Sequence, residues 1–441
     1  MAEEVERLKI GYKVSKYTGI LFVCIAGGIM IGVLLLTAAY MLPTDRMKSH
    51  VADSDELFNY EGIYPQIIQG YKSSQLDNYT DGLMYATAIH PGSGNPLKDA
   101  MRNARYEYED TNMVQSLNDY ANDVSAKEEL RYEMIYPRYW HGYLIFLKPL
   151  LLFFNVSEIR MINMVLQGGL LLLLLFLVRR RMGERWQIPV LLMAAVLNPI
   201  VLPLSLQFSW VYYIALACGI VLLSAKRVGN LTNLVLIFLV TGMATSYLDL
   251  LTYPLITLGL PLTLALLMQE GRNWRWRLKL TLCGAISWAV GYAGMWAGKW
   301  ICAWMFGGLN LFGEVLGKIL ERTSSVGELQ ESLNAWLVIG KNVQVLLKWP
   351  YLLIAALFAG SCLALWLRSD RRLPDRVLFL KSLPYLICAA LPVVWIGLTA
   401  NHSWVHYWYT YRELSVTALA GAVWIMELLF PQHLKTEDKN G

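Results

Sequence analysis

Long apolar stretches separated by short polar segments make up most of this 441-residue chain. Each comes close to the roughly 20 residues with which an α-helix crosses about 30 Å of hydrocarbon. The predicted spans are residues 18–42, 159–178, 188–204, 210–225, 230–247, 250–268, 279–302, 345–367, 382–399 and 413–430. This pattern predicts an all-α integral membrane protein with about ten transmembrane helices.

The composition agrees with this class. Hydrophobic residues make up 56% of the chain and charged residues 16%, which is typical of a membrane protein and not of several soluble domains. The formal net charge is +5, but most basic residues lie at the ends of apolar stretches. The charge therefore gives no indication of nucleic-acid binding, and the expected surroundings of the chain are a lipid bilayer.

One apolar stretch is too short to be a span. Residues 143–154 are interrupted by Lys148 and Pro149, and such a length favours an interfacial helix. With this segment outside the hydrocarbon, the basic clusters fall on the same side as both termini. These clusters are 179–181, 226–227, 272–277 and 368–376. Lys and Arg are enriched in cytoplasmic loops, so we expect a multi-pass cell-membrane protein with both termini in the cytoplasm.

This orientation divides a single transmembrane domain, residues 1–441, into consecutive parts. They are a cytoplasmic segment 1–17, the first span 18–42, a large extracytoplasmic loop 43–158 with the interfacial helix, nine further spans within 159–430, and a cytoplasmic tail 431–441. Within the large loop, the polar pattern of residues 100–133 predicts a helix with a solvated acidic face. Two further outer segments are residues 303–344 and 401–412.

Acidic residues near the outer surface are the first candidates for chemistry. Asp77 and Asp81 are four residues apart and share one face if the segment is helical. A carboxylate beside the membrane can act as a general base on a hydroxyl group or hold a divalent cation. It can equally cap a helix that starts near Gly82. Asp249, in the turn between two spans, presents the same alternatives, since an acid at that depth needs a cavity or a partner.

The outer turn 401–412 is the second candidate. His402 and His406 have helical i, i+4 spacing, and Arg412 follows within two turns. Arginine binds phosphate oxygens in a bidentate manner, and the rings of Trp408 and Tyr409 can stack on a sugar. The alternative is an aromatic belt at the level of the lipid headgroups.

A third and weaker candidate group comes just before the interfacial helix. Arg138 and His141 flank Tyr139 and Trp140, and they can contact a phosphate or a sugar, or anchor the chain at the interface. By contrast, three charged residues at four-residue spacing in the second outer segment predict a solvated helix face without a functional role: Glu314, Lys318 and Arg322.

Two motifs and their order resemble the GT-C superfamily of polytopic glycosyltransferases. The first is Tyr136-Pro137-Arg138, and the second is the stretch Asn-Val-Ser-Glu-Ile-Arg at 155–160, which opens a leucine-rich span ending in three arginines. Both follow a first span and an acidic outer loop, so the resemblance covers mainly residues 1–182. The chain departs from the family in one respect. Asp77 lies well beyond the end of the first span, whereas the family's acid comes soon after it.

The resemblance implies an extracytoplasmic enzyme. It would transfer a sugar, with inversion, from a polyprenyl-phosphate or polyprenyl-diphosphate donor to a glycan or lipid acceptor of the cell envelope. Asp81 is the favoured base, because Asp-Gly-Leu-Met-Tyr-Ala begins an apolar helix, and Asp77 or Asp249 are substitutes. The residues implied to hold the donor phosphate are Arg412, His402, His406, Arg138 and His141. Those implied to line the substrate are Tyr139, Trp140, Trp408 and Tyr409.

Other function classes stay open. A transporter or flippase of lipid-linked glycans needs a polar path through the membrane, but the predicted spans contain little charge. A polymerase of such glycans acts on the same lipids, and a structural membrane partner would leave the turn 401–412 unexplained. The sequence contains no nucleotide-binding phosphate loop, no dinucleotide fingerprint and no Cys/His metal spacing. No cofactor or metal site is therefore assigned, and a divalent cation at the carboxylates stays an open alternative.

Overall fold

The computed structural model describes residues 2–225, 230–327, 332–368 and 374–430, with side chains from residue 18 onwards. These residues form α-helices, joined in places by 3-10 turns, and one small sheet. The helices are α1 (Ala2–Tyr40), α2 (Asp45–Ala52), α3 (Asp55–Glu61), α4 (Asn78–Ile89), α5 (Pro96–Arg102), α6 (Met113–Ala121), α7 (Leu144–Leu151), α8 (Val156–Met182), α9 (Gln187–Leu197), α10 (Leu206–Ser224), α11 (Leu231–Leu248), α12 (Ile256–Met268), α13 (Trp274–Gly307), α14 (Phe312–Arg322), α15 (Ala335–Gln344), α16 (Trp349–Arg368), α17 (Arg376–Leu398), α18 (Ala400–Val405), α19 (Tyr407–Thr410) and α20 (Leu414–Leu429). The strands are β1 (Ala104–Tyr108) and β2 (Arg131–Ile135).

Seven of the described helices are long and apolar enough to cross a membrane. They are α1 from Thr18 onwards, α8, α10, α11, α13, α16 and α17. Three further predicted spans coincide with the shorter helices α9, α12 and α20, which have 11, 13 and 16 residues. The structure therefore agrees with an all-helical, multi-pass membrane protein, and the count of ten spans stays a prediction. The segment 143–154 forms the eight-residue helix α7, which is too short to span.

The shortness of α9 has a local cause. The chain adopts a left-handed conformation at Asn198, with φ of 60°, directly after the last helical residue Leu197. A 3-10 turn at Leu202–Leu204 then leads into α10. The side chain of Asn198 donates a hydrogen bond to the Ser73 carbonyl (3.4 Å). The predicted span 188–204 is thus a helix followed by a turn that contacts the large outer loop.

The leucine-rich helix α8 begins and ends with clear local signals. The Asn155 side chain accepts a hydrogen bond from the Glu158 amide, and the Glu158 side chain accepts one from the Asn155 amide, which closes a capping box. Gly183, with φ of 104°, ends the helix directly after its three last-turn arginines. Cations suit the negative end of the helix dipole, so both ends of α8 follow from the sequence.

Helices α11 and α13 are in direct backbone contact. A Cβ added at Gly242 would lie 2.0 Å from the Trp288 carbonyl oxygen, and one at Gly291 would lie 2.2 Å from the Leu239 carbonyl oxygen. Only glycine permits this approach, which increases van der Waals contact between membrane helices. A large apolar core surrounds the pair and is formed by α8 to α13 together with α17 and α20.

Residues 43–155 and 308–348, called the outer region, lie at one end of this bundle. A second apolar core joins the first of these segments to α1, α10, α11 and α13. Helix α8 starts beside it, since Arg160 and Glu61 form a bidentate ion pair with N–O distances of 2.6 and 3.0 Å. The opposite end of the bundle, where α8 ends at Arg179–Arg181, is called the basic end.

The prediction of a helix over residues 100–133 is wrong. Helix α5 ends at Asn103, which is left-handed with φ of 50°. Strands β1 and β2 then pair in antiparallel fashion, with Ala104 opposite Ile135 and Tyr108 opposite Arg131, and α6 lies between them in sequence. Tyrosines alternate with charged residues along β1, and such a segment is stabilised by a distant partner strand. The local polar pattern indicated a helix here, but pairing between distant residues gives this segment a strand conformation at both ends.

Two buried lysines hold the outer region in place, one from the bundle and one from within the outer region itself. Lys299 of α13 donates to the Ala100 carbonyl (3.0 Å) and to the Asn103 side chain (2.6 Å). Lys148 of α7 donates to the Ala88 carbonyl (2.6 Å). A buried ammonium group is costly without such partners. The Lys299 bonds therefore hold the end of α5 against α13, and the Lys148 bond holds the end of α4 against α7.

Candidate functional site

Asp81 lies in the first turn of α4 and holds the start of another helix. Its carboxylate accepts hydrogen bonds from the Ser205 hydroxyl (3.0 Å) and from the amides of Leu206 (3.0 Å) and Gln207 (2.9 Å). These are the first amides of α10, which have no partner within the helix. Burial raises the pKa of Asp81 to about 7, against the hydrogen bonds from α10. The predicted base is therefore placed as a cap across the interface between the outer region and the bundle.

Arg412 is a second buried charged residue near the start of α10, and it bonds to backbone carbonyls. Its Nε donates to the Leu197 carbonyl (3.3 Å), Nη1 to the Trp408 carbonyl (3.2 Å) and Nη2 to the Ser73 carbonyl (3.2 Å). Leu197 is the last residue of α9, so a cation lies at the C-terminus of α9 and the Asp81 anion at the N-terminus of α10. Both charges suit the helix dipoles. We call this arrangement, formed by residues 197–208 with Asp81 and Arg412, the α9–α10 junction.

His141 and Trp140 are also held inside the protein. His141 Nε2 lies 2.9 Å from the Tyr136 carbonyl, which only accepts, so Nε2 carries the proton and Nδ1 accepts from the Tyr143 hydroxyl (2.8 Å). Burial lowers the pKa of His141 well below its usual value. The Trp140 indole donates to the Met295 carbonyl (2.7 Å). Both side chains are buried, and together they fix the turn that carries Arg138 and Tyr139.

Three of the predicted phosphate ligands meet at a different place, in a cavity of about 150 Å³ between α14 and α18. We call it the cationic pocket. Its lining residues are Arg138, Lys318, Glu321, Arg322, Asn401, His402, Val405 and His406. Arg138, His402 and His406 were predicted from the sequence, whereas Arg322 and Lys318 belong to the helix face that was predicted to be solvated. That prediction is wrong for Arg322, which reaches the pocket wall.

The pocket walls combine guanidinium groups with aromatic rings. The Arg322 guanidinium donates to the Tyr139 hydroxyl and lies 5.6 Å from the centre of that ring. Arg138 pairs with Glu314 (3.1 Å) and lies 5.1 Å from the Tyr136 ring, and its buried Nε has no hydrogen-bond partner among the described residues. The Tyr139 ring in turn stacks on the Trp296 indole of α13, with ring centroids 5.9 Å apart. Donors of this kind are suited to an anionic ligand.

The two histidines of the pocket are uncharged near neutral pH. His402 Nε2 lies 3.1 Å from the Leu251 carbonyl and therefore carries the proton. The His406 ring stacks on Tyr409 with centroids 5.1 Å apart, and its buried Nδ1 has no partner within the described part of the chain. Burial lowers the pKa of His402 well below its usual value and that of His406 to about 4. Arg138, Lys318 and Arg322 therefore carry the positive charge of the pocket. Arg138 is, however, paired with Glu314, and Lys318 with Glu321, which also lines the pocket.

Asp249 and Asp77 are the two remaining predicted acids, and each also caps a local turn. Asp249 accepts from the Thr252 amide (3.0 Å) and hydroxyl (2.6 Å), and Asp77 accepts from the Thr80 amide (3.0 Å) and hydroxyl (3.1 Å). Burial raises the pKa of both carboxyl groups to about 6. Asp77 thus caps a helix, as the sequence allowed, but α4 begins at Asn78 and not near Gly82. Asp249 does not cap the sixth predicted span, because α12 begins at Ile256. Capping does not exclude a further role for either acid.

Tyr409 connects these acids with the pocket. Its pKa is raised mainly by burial, and then by the charge of Asp77 and, to a smaller extent, of Asp249. The charge of Arg322 acts on the same phenol in the opposite direction. Both carboxylates and the pocket arginine therefore lie within electrostatic range of one ring. Trp408, the other predicted aromatic residue of this turn, meets the Tyr64 ring edge to face at 5.6 Å.

Arg322 is the residue that sequence reasoning missed, although a signal exists. The apolar residues Phe312, Leu316 and Leu320 recur on one face of α14, and they are 50%, 58% and 62% exposed. An amphipathic helix with an exposed apolar face is typical of a membrane interface. Its charged face then turns toward protein, which is where Arg322 lies.

Within the described ranges, no three His, Cys, Asp or Glu side chains come close enough together to hold a metal ion. The carboxylates are instead paired with amides and hydroxyls. Comparisons of the chain with family models, with curated proteins and with solved structures find no match. A function for this multi-pass protein is therefore inferred from its site geometry and its sequence pattern.

Proposed function

We propose that this protein transfers a sugar from a polyprenyl-phosphate or polyprenyl-diphosphate donor to a hydroxyl group of an envelope glycan or lipid, at the outer face of the membrane. The observation that carries the proposal is the cationic pocket, whose Arg322 acts electrostatically on the same phenol, Tyr409, as two buried carboxylates. Arg138, Lys318 and Arg322 line the pocket together with neutral histidines. A guanidinium group with a buried nitrogen that no described residue pairs, as in Arg138, suits a phosphate group.

The outer face of α14 supports a lipid-linked donor. The same helix that carries Lys318 and Arg322 into the pocket exposes Phe312, Leu316 and Leu320 on its other side. Only Val315 of this helix is buried. A hydrocarbon tail can lie along this apolar face in the bilayer while its phosphate reaches the pocket. A water-soluble sugar nucleotide would gain nothing from such a surface.

The cavity of about 150 Å³ accommodates a phosphate group and leaves the sugar to lie toward Tyr409 and the acids. A carboxylate there takes the proton of the acceptor hydroxyl as its oxygen attacks the anomeric carbon. The bond between that carbon and the phosphate oxygen breaks, and its electron pair remains on the phosphate. Arg322 and Arg138 stabilise this developing charge. Attack from the side opposite to the phosphate inverts the anomeric centre.

We assign the base to Asp77, with Asp249 as the alternative. A base must meet the substrate, and both residues act electrostatically on Tyr409, whose ring stacks on His406 of the pocket. Asp81, favoured by the sequence alone, holds three hydrogen bonds from the start of α10. A carboxyl group with a pKa near 6 is deprotonated at neutral pH and retains more basicity than an ordinary aspartate.

Transport of a lipid-linked glycan is the alternative function. The structure adds buried charge near the basic end. Arg277, predicted in a cytoplasmic loop, and Glu427, within the last predicted span, are 1% and 4% exposed. Between Glu427 and the outer end of α20, however, the buried positions are mostly apolar, such as Val416, Leu419 and Val423. This apolar layer argues against a continuous polar path and favours a site open to one side.

The first experiment measures thermal unfolding of the detergent-purified protein with undecaprenyl phosphate. A ligand that binds only the folded state raises the unfolding temperature. We expect stabilisation of the wild type and its loss in Arg322→Gln. Loss of one charge-assisted hydrogen bond of about 1.5–3 kcal/mol weakens binding by about 10- to 150-fold. Arg179→Gln, at the basic end, is the matched control and retains the shift.

The second measurement is release of undecaprenyl phosphate from undecaprenyl-phosphate hexose and pentose donors, each incubated with envelope lipids and glycans as acceptors. Release that requires Arg322 supports the transfer reaction. Binding without release for every donor and acceptor pair favours the transport alternative. An equal thermal shift in wild type and Arg322→Gln removes the cationic pocket from the mechanism.

A further inference from the structure

Helix α16 stands away from the rest of the bundle and leaves a groove. Cys362 is the only buried residue on this helix. A cavity of about 460 Å³ separates one side of α16 from α9 and the end of α20. It is lined by Arg185, Ile188, Leu192, Ile354, Leu357, Phe358, Ser361, Cys362, Leu365, Met426 and Phe430. We call it the α16 groove.

The walls of the α16 groove are almost entirely apolar, and α16 is one of the helices able to span the membrane. Water in such a groove would lack hydrogen-bond partners, whereas hydrocarbon fits it. The groove has about three times the volume of a cavity of about 150 Å³ that binds benzene. A stretch of acyl chain is therefore the occupant that its size and walls favour.

One end of the groove carries a cation. Arg185 Nη1 donates to the carbonyl of Phe430 (2.8 Å), which is itself a lining residue. The Nε and Nη2 atoms of Arg185 are buried and have no hydrogen-bond partner among the described residues. Arg185 follows closely on the three arginines that end α8. The apolar groove therefore ends at the basic end of the bundle, where several arginines are collected.

We propose that the α16 groove binds an anionic glycerophospholipid, with one acyl chain between α16 and α9 and its phosphate at Arg185. Clusters of arginine beside membrane helices attract anionic headgroups. Glu427 and Glu270 also act on Arg185 electrostatically. Glu427 is only 4% exposed and lies on the bundle side, so a phosphate reaches the guanidinium from the groove. Arg179 pairs with Glu184, which leaves Arg185 as the cation of the groove itself.

This site is separate from the proposed transfer reaction. The α16 groove lies at the basic end and shares no lining residue with the cationic pocket. The bound phospholipid fills the gap between α16 and α9 and so completes the packing of the membrane domain. The lipid is then retained through purification, whether or not the outer pocket binds a polyprenyl phosphate.

Native mass spectrometry of the full chain in detergent tests the inference. The protein is stripped of lipid and titrated with phosphatidylglycerol and, separately, with phosphatidylcholine. We expect one phosphatidylglycerol molecule to bind with an affinity about tenfold or more above that of phosphatidylcholine, a difference of about 1.4 kcal/mol or more. Arg185→Gln reduces the phosphatidylglycerol affinity by a similar factor, and Arg179→Gln leaves it unchanged.

Two matched substitutions test the groove itself. Leu357→Trp fills the groove from an exposed position of α16, and Leu363→Trp adds the same ring on the same helix outside the lining. Only Leu357→Trp should prevent lipid retention. Ile188→Trp, on the opposite wall and 45% exposed, repeats the test if Leu357→Trp does not fold. Equal retention in all variants, or equal affinity for the two lipids, overturns the proposal. Exclusive retention of undecaprenyl phosphate in the groove also overturns it.

Discussion

The α9–α10 junction and the cationic pocket both combine arginine with aromatic rings and a carboxylate, yet their polar groups are used differently. At the junction, all three nitrogens of Arg412 donate to backbone carbonyls, and Asp81 accepts from the first amides of α10. In the pocket, buried nitrogens of Arg138 and His406 have no partner among the described residues. Asp81 and Arg412 therefore satisfy backbone groups at helix ends, whereas Arg138 and His406 line a cavity.

This difference shows that burial of a charged side chain does not by itself indicate a role in function. Asp81 and Arg412 are 1% and 0% exposed, so burial alone makes them look as important as any residue of the pocket. Backbone groups at helix ends need partners, and charged side chains that supply them add stability. A donor that faces a cavity adds nothing to stability until a ligand arrives. Substitutions that separate stability from ligand binding therefore test the comparison directly.

The largest expected effect is on transfer by Asp77→Asn. Loss of a general base lowers the rate by about 10²- to 10⁴-fold. Asparagine still accepts the Thr80 amide hydrogen bond that caps α4, because Asn and Asp are similarly good N-caps. The thermal unfolding temperature should then stay close to that of the wild type. Donor turnover is measured as undecaprenyl phosphate release.

Asp249→Asn is the matched control, since its side chain also caps a turn through Thr252. It should retain most of the activity. Full activity in Asp77→Asn together with an inactive Asp249→Asn would assign the base to Asp249.

Arg412→Gln should affect stability rather than binding. Glutamine cannot satisfy the carbonyls of Leu197, Trp408 and Ser73 together. Each buried acceptor left unpaired costs about 1–3 kcal/mol, and we expect a total loss of about 3 kcal/mol in the free energy of unfolding. Thermal unfolding in detergent measures this loss, and the folded fraction should still be stabilised by undecaprenyl phosphate. A variant of wild-type stability that no longer responds to the lipid would assign Arg412 to the ligand site.

Asp81→Asn tests the other half of the junction. The amide side chain keeps one acceptor but presents an NH₂ group to donors of Ser205, Leu206 or Gln207. Loss of a good helix cap costs about 0.5–2 kcal/mol, so a smaller decrease in stability than for Arg412→Gln is expected. Transfer per folded molecule should be largely retained. A folded but inactive Asp81→Asn would show that this carboxylate contacts the substrate.

The smallest expected effect is the acidic limb of the pH profile. Burial raises the pKa of Asp77 to about 6 from its usual 3.8. The base works only when deprotonated, so kcat/KM should fall about tenfold per pH unit below this value and level off above it. An acidic limb near pH 4 would contradict the assignment of a buried base.

Binding of an intact undecaprenyl-phosphate sugar provides the internal comparison for that profile, because its phosphodiester keeps a single negative charge over this pH range. His406 has a pKa lowered by burial to about 4, so it stays neutral across the acidic limb. The Kd should therefore change little where kcat/KM falls. A Kd that weakens steeply with rising pH near neutrality would indicate a protonated histidine in the pocket.

Several features of the fold could be read from local sequence. The caps of α8 are an example, since Asn155, Glu158 and Gly183 lie at its two ends and form bonds with residues close in sequence. The length of apolar stretches likewise predicted the spanning helices α1, α8 and α13. The strands β1 and β2 were not predicted, because their pairing joins residues that are far apart along the chain.

The site was predicted only in part, for a related reason. His402, His406 and Arg138 were identified from residue type and spacing, and they do meet in one cavity. Arg322 was not, because its position depends on how α14 packs against α18 and on the Tyr139 hydroxyl that it contacts. Spacing along a helix says which residues share a face, but not whether that face meets water, lipid or protein.

The sequence by itself determined that this is an all-helical membrane protein, because hydrocarbon requires each spanning segment to satisfy its own backbone over a fixed length. It also determined which segments contain polar side chains suited to phosphate and proton transfer. Only the tertiary structure decided that Asp81 and Arg412 are used by helix ends and that Arg322 faces a cavity. The role of a polar side chain depends on which group lies within hydrogen-bonding distance. Packing between distant parts of the chain determines that neighbour.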